Sequence, residues 1–166
     1  RPNVEYMYLV CEEREKIELL RKLVRNHHMK ALVFVKNIPT LSILAEKLRF
    51  MGIQADVLHS DSKKQERAKA MKEFREGKLD LLLASDVAAR GLDIPDLSHV
   101  IHMDLPKEPN QFVHRSGRTG RLGAKSGTIV ALVTAREERQ LQKFSRQLNL
   151  AVSKKTLSRG KLVDEK

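Results

Sequence analysis

Short apolar runs bounded by turn signals alternate along the chain with stretches of helical periodicity, the rhythm that βα units around a mostly parallel sheet require. Six runs read as strands, at 4–10, 31–35, 55–58, 81–84, 100–103 and 128–133. The first alternates in polarity and suits an edge strand. ALVFV (31–35) and LLLA (81–84) are uniformly apolar and suit positions buried inside a sheet. Between them the segments 12–27, 39–51, 64–76, 109–117 and 135–148 carry helical periodicity. Pro39 fits a first helical turn, while Gly52 and Gly77 fit helix stops. The expected fold class is therefore α/β, a mostly parallel central sheet with helices on both faces. Past residue 150 the pattern decays into a polar, basic stretch, so 1–150 is expected to form the domain and 151–166 a tail or linker.

At 166 residues, such a chain buries roughly two thirds of the surface its unfolded form exposes. No apolar run approaches the ~20 residues that a membrane-spanning helix needs, and a soluble protein with no membrane partner is expected. Cys11 is the one cysteine, which excludes an intramolecular disulfide and a cysteine-based zinc cluster. The six histidines show no metal-ligand spacing, so no protein-held metal is expected. The opening Arg-Pro-Asn has neither a methionine nor an apolar leader, which reads as a piece of a longer chain. Net charge is +11, which favours a polyanionic partner.

That charge is concentrated. From Phe112 through Arg136 there is no acidic residue, while Arg115, Arg118, Arg121, Lys125 and Arg136 all fall inside. In FVHRSGRTGRLG (112–123) a helix entering at Pro109 would bring His114, Arg118 and Arg121 to one face. Gly117 and Gly120 should end it, since each costs a helix about 1 kcal/mol relative to Ala. The arginines would then project from a tight turn in which glycine permits positive φ or a close approach. Phosphate is the ligand that planar guanidinium forks match best.

A second candidate is ASDVAARGLDIP (84–95), at the carboxyl end of a central strand, where open parallel sheets gather their ligands. It offers Ser85, two carboxylates (Asp86 and Asp93) and Arg90 together. The segments 36–37, 59–61 and 104–105 follow strands in the same way. No GxxxxGK(S/T) phosphate loop and no GxGxxG occurs in the chain. Arginines without a phosphate loop suggest fingers supplied to a nucleotide that another domain holds, a device worth ~10³–10⁵ in rate. Five Phe, two Tyr and no Trp leave few stacking platforms. Phe34, Phe50, Phe74, Phe112 and Phe144 all sit in apolar patterns and are expected in the core, so a nucleic acid would be gripped by its backbone.

At HRSGRTGR (114–121) and SDVAARGLDIP (85–95) the sequence resembles the second, C-terminal RecA-like domain of DEAD-box RNA helicases, in helicase superfamily two. LVFVKN (32–37) resembles that family's motif IV, and LHSDSKKQERAKAMKEFREG (58–77) its Gln-x-x-Arg helix, all in the family's order. The resemblance implies a RecA-like fold and the C-terminal half of an ATP-dependent RNA helicase. Arg118 and Arg121 would be arginine fingers on ATP, held with Mg2+ mainly by an absent N-terminal RecA-like domain. His114 and Arg115 would join the interdomain network, and Asp93 would contact the ribose. Asp86 and Arg90 would couple the ATP and RNA sites, while Asn37, Ser85 and Gly91 would lie near the RNA backbone. Arg67 matches the Arg of Gln-x-x-Arg. Lys64 stands at the Gln position, Ser60 where Gly is usual and Met103 where Tyr is frequent, so RNA contacts around 63–65 would differ from the family's pattern. The partners implied are RNA and the N-terminal domain, with a monomeric, cytoplasmic, inactive isolated half. A non-catalytic RNA-binding module and a DNA translocase of the same superfamily are the alternatives. The arginine spacing argues against the first, and GLDIP with HRSGRTGR against the second.

Overall fold

In the computed structural model, which describes residues 4–60, 62–92, 94, 97–119 and 127–165, one eight-stranded sheet forms the frame. Its strands are β1 (Val4–Val10), β2 (Ala31–Phe34), β3 (Ala55–Val57), β4 (Leu81–Ala84), β5 (His99–His102), β6 (Gly127–Val133), β7 (Val152–Ser158) and β8 (Lys161–Asp164). The helices are α1 (Lys16–Asn26), α2 (Leu41–Phe50), α3 (Lys64–Arg75), α4 (Asp86–Ala89), α5 (Pro109–Ser116) and α6 (Ala135–Leu148). Short 3-10 turns at Glu13–Glu15 and Ile38–Thr40 lead into α1 and α2. The spatial order is β3-β4-β2-β5-β6-β1-β7-β8, and every pairing is parallel except β7 with β8.

The central strands are buried at every position because helices cover both faces. Leu32, Phe34, Leu82, Ala84 and Val100 point to one side, where Phe74 of α3, Phe112 of α5 and Phe144 of α6 meet them. Ala31, Val33, Leu81, Leu83 and Ile101 point to the other, against Leu20 and Leu23 of α1 and Leu44 and Leu48 of α2. The α/β class read from the sequence is the one observed.

Three expectations about strands, tail and core need correction, as does a fourth at Gly117. Strand β1 is not an edge, because β6 pairs along one side of it and β7 along the other. The stretch past residue 150 is not a loose tail: β7 and β8 form a hairpin that extends the sheet. Its apolar signal was thin because Val152, Leu157 and Leu162 carry its packing against the core, scattered among polar and basic neighbours. Phe50 is the third. Its ring is 94% exposed, since α2 buries Leu41, Leu44, Ala45 and Leu48 and position 50 falls on the opposite face.

Local chemistry fixes the elements around the sheet's carboxyl end. Ser85 caps α4, its hydroxyl accepting from the Ala88 amide at 3.2 Å. Thr134 and Glu137 form a reciprocal capping box at the start of α6, at 3.2 and 3.0 Å. Pro109 opens α5, and Gly117 closes it with φ of −66°, a value any residue adopts. The positive φ or close approach expected of Gly117 is therefore not found; the helix ends there through its low propensity. Gly91 does need its freedom, with φ of +70° where the chain turns after α4.

Candidate phosphate-binding site

The loops after β2, β4 and β5 converge on Arg115. Its guanidinium donates to both carboxylate oxygens of Asp86 at 2.7 Å each, to the Asp104 carbonyl at 2.7 Å, and meets His102 Nδ1 at 3.2 Å. The plane lies over the Phe34 ring, 4.9 Å from its centroid, and the residue is 3% exposed. A fork-to-fork pair of this kind is both strong and directional. The sequence places no carboxylate near Arg115, yet the fold delivers Asp86 to it from 29 positions away. Arg115 is thus an internal tie and not one of the outward-facing forks expected of the segment.

His102 is fully buried and stacks on Phe112 with ring centroids 4.6 Å apart. Burial, and then the Arg115 charge, hold its pKa well below the ordinary histidine value, so the ring is neutral. With Nδ1 accepting from Arg115, its proton belongs on Nε2, which has no partner among the described residues.

Beside this tie opens a cleft of about 160 Å³ lined by Asp86, Arg90, Gln111, His114, Arg115 and Arg118 over Phe34. Arg118 stands in the turn that follows α5 and is steadied by a bond from Nη1 to the Leu92 carbonyl at 2.9 Å. Its Nε is buried and lacks an acceptor among the described residues. Arg118 thus lines the cleft with a buried N–H donor still unspent. Arg90 and His114 are exposed at the rim. Because Asp86 is spent on Arg115, the free charge of the cleft is positive.

A second cleft, about 470 Å³, lies at the carboxyl ends of β3 and β4, with Ile38, Pro39, His59, Lys63, Ser85 and Val87 around it. Ser85 lines it, and Asn37 starts the 3-10 turn whose Ile38 and Pro39 line it. Arg67 sits beneath, donating from Nη1 to the His59 carbonyl at 2.7 Å and to the Ala88 carbonyl at 2.8 Å, so it fastens α3 to the loop after β3 and to α4. Lys64 is exposed at the first turn of α3, but Lys63 is the lysine that lines the cleft. Gly91 is exposed at the turn joining the two regions. Asp93 and Arg121 lie outside the described residues.

The segment 104–105 is a strand-end candidate, but the bridge it makes is not readable from sequence, and neither is the place of Lys16. Asp104 accepts from the Lys36 amide at 2.8 Å while its carbonyl serves Arg115, so it bridges the arginine cleft and the loop that carries Asn37. Lys16 is 1% exposed and donates to the Met103 carbonyl and to Glu137, each at 2.8 Å. Glu137 in turn accepts from the Leu105 amide at 3.4 Å. Residues 103–105 are therefore gripped on both sides. The available signal was that Lys16 occupies the inner face of α1 with Leu20 and Leu23, four and seven positions later.

Among the described residues no group of three or more His, Cys, Asp or Glu is placed to hold a metal, and no helix is long and apolar enough to cross a membrane. The donor set suits phosphate oxygens.

Residues 15–123 match the helicase conserved C-terminal domain family. The DEAD-box ATP-dependent RNA helicase CshC of Bacillus cereus is 46% identical over 163 residues, 98% of this chain and 42% of that protein. The probable ATP-dependent RNA helicase YfmL of Bacillus subtilis is 50% identical over 160 residues, 96% of this chain and 42% of its own. The chain thus spans about two fifths of the length of these relatives. Among solved structures, a DEAD box protein from the hyperthermophile Methanococcus jannaschii superposes with a TM-score of 0.82 at 36% identity, covering 92% of this chain and 42% of that one. Dbp5 of S. cerevisiae bound to RNA and ADP BeF3 gives 0.84 at 29% identity, over 93% and 42%.

Proposed function

The chain belongs to the helicase conserved C-terminal domain family and is a RecA-like domain of the DEAD-box type, and from that premise we propose that it is the C-terminal half of an ATP-dependent RNA helicase. The observation that carries the reading is Arg118: an arginine lining a positive cleft, with a buried N–H unfilled among the described residues, in a chain that has no phosphate loop. ATP, with Mg2+, would be held mainly by an N-terminal RecA-like half. Arg118, and Arg121 from outside the described residues, would reach its terminal phosphate. Donors fixed in advance where charge develops stabilise a transition state without reorganising. Asp93 would contact the ribose.

On this reading Arg115, Asp86, Asp104 and the Asn37 loop form one hydrogen-bonded frame linking the ATP side to the RNA side. Asn37, Ser85, Gly91 and the lysines at 63–64 would hold the RNA backbone. Closure of the two halves over ATP and single-stranded RNA would bend one strand of a short duplex and part it locally, and hydrolysis would reset the cleft. The same reading places the protein in the cytoplasm and makes the isolated half monomeric, weak for RNA and inactive toward ATP.

The test is steady-state ATPase of the full-length protein with and without single-stranded RNA, for wild type, Arg118→Ala and Arg121→Ala. A loss of about a hundredfold or more with RNA binding kept supports arginine fingers. Unchanged turnover, with weaker RNA binding and a shallower salt dependence, would make them RNA phosphate contacts instead.

A further inference from the structure

The outer face of α2 carries a stripe that the ATP and RNA clefts do not use. Ile43, Lys47 and Phe50 follow one another at i, i+4 and i+7, so they lie along one line of the helix. Ile43 is 53% exposed and Phe50 94%. The other four phenylalanines are buried in the core, which leaves Phe50 as the one fully exposed aromatic ring among the described residues.

Its surroundings are cationic. Lys47, one turn earlier, is exposed and has no hydrogen-bond or ion-pair partner among the described residues. Arg25 reaches across from α1 to the carbonyl of Met51, the residue after Phe50. Arg49 turns toward the Ala55 carbonyl at 2.9 Å, with Asp56 at 3.8 Å. Glu46 is the one carboxylate α2 itself presents. An isolated surface Phe needs no explanation. A ring near Lys47 and Arg25, neither of which has a carboxylate partner among the described residues, has the composition of a single-strand stacking platform.

The stripe is also continuous with the RNA side. A shallow cleft of about 340 Å³ runs from Asn37 and Thr40 past Ile43 to Lys47. The ten residues of α2 then carry the line about 15 Å from the Asn37 turn to Phe50.

We infer that the Ile43–Lys47–Phe50 face of α2 is an auxiliary contact for single-stranded RNA leaving the cleft at Asn37 and Ser85, with a base stacked on Phe50 and phosphates on Lys47 and Arg25. The inference rests on the RNA reading above for where the strand starts. A protein segment with an apolar anchor and acidic flanks is the competing occupant. The path from Asn37 favours the strand.

The test uses the full-length protein with oligouridylates of two lengths, one filling the Asn37–Ser85 cleft alone and one several nucleotides longer, and inorganic polyphosphate as a polyanion without bases. Phe50→Ala should weaken the longer oligomer about tenfold, or 1.4 kcal/mol, and leave the shorter one unchanged; Lys47→Ala should reduce the salt slope for the longer one only. This domain contains no tryptophan, so Phe50→Trp adds a fluorophore whose signal above wild type should be quenched by the longer oligomer and not by polyphosphate. Equal affinity of wild type and Phe50→Ala for both oligomers, with no quenching, would overturn the inference and leave the face to a protein partner. Quenching by the longer oligomer, when the short one fails to bind wild type, would support this contact while sinking the cleft assignment.

Discussion

Replacing Lys16 by methionine keeps the length of the side chain and removes its charge. Lys16 is 1% exposed and bonds the Met103 carbonyl and Glu137 at 2.8 Å each, with Glu13 at 3.5 Å. Breaking a buried ion pair from one side costs about 3–5 kcal/mol. The Glu137 side chain is 21% exposed and keeps its bonds from the Thr134 and Leu105 amides, so the lower end, about 3 kcal/mol, is expected. For a domain of this size that is about 6–12 °C in Tm. Lys16→Met with Glu137→Gln should be more stable than Lys16→Met alone, because glutamine still caps α6 and no lone carboxylate remains. Thermal unfolding of the three variants and wild type at pH 7 checks this. A single variant within about 2 °C of wild type would refute the claim that the ammonium holds residues 103–105. A double variant no better than the single would show that packing, not charge, set the cost.

Arg115→Lys should lose about 2–3 kcal/mol, because an ammonium cannot reproduce the fork on Asp86 while also reaching Asp104 and His102; urea unfolding measures it, and a loss below about 0.5 kcal/mol would argue against the frame. Acid should weaken the fold before its carboxylates protonate. Burial, with His27 nearby, lowers His99 from 6.5 to about 4, so between those values the unfolded chain binds a proton the folded one refuses. Stability is present above pH 6.5 and is lost as pH falls toward 4, by about 2 kcal/mol at pH 5 from His99. His99→Asn should flatten that part of the profile, and an undiminished slope in the variant would assign it elsewhere. Glu137 acts lower. Burial pushes its pKa up, but Lys16 and the Thr134 amide more than offset this, so the net shift is downward. Its contribution is lost only as pH falls below the ordinary carboxylate value of 4.5.

The sheet's interior was legible because β2 and β4 are apolar at every position, a pattern that only burial on both faces explains. Ser85 and Asp86 were legible as candidates because they follow a central strand, and each lines a cleft at the sheet's carboxyl end. What the sequence hid were relations between distant positions. Nothing local to Arg115 announces Asp86 or the Asp104 carbonyl, and nothing in an isolated lysine at position 16 announces that it is buried. Phe50 misled because apolar character was read without the helix's phase, which turns it away from Leu44 and Leu48. The final hairpin was missed because three packed apolar residues in thirteen, Val152, Leu157 and Leu162, are too few to show a period of two.

The pairing of β1 has a consequence for how the chain is made. Val4–Val10 finds its register against Gly127–Val133 and its other neighbour in β7. A ribosome adding about 5–20 residues per second therefore leaves this strand without a hydrogen-bonding partner for roughly 6–24 s. Through that interval VEYMYLV, with Met7, Tyr8 and Leu9 destined for the interior, is a nascent sticky segment that must be shielded by upstream chain or by a chaperone. Folding of the sheet can close only when the last fifth of the sequence has left the exit tunnel.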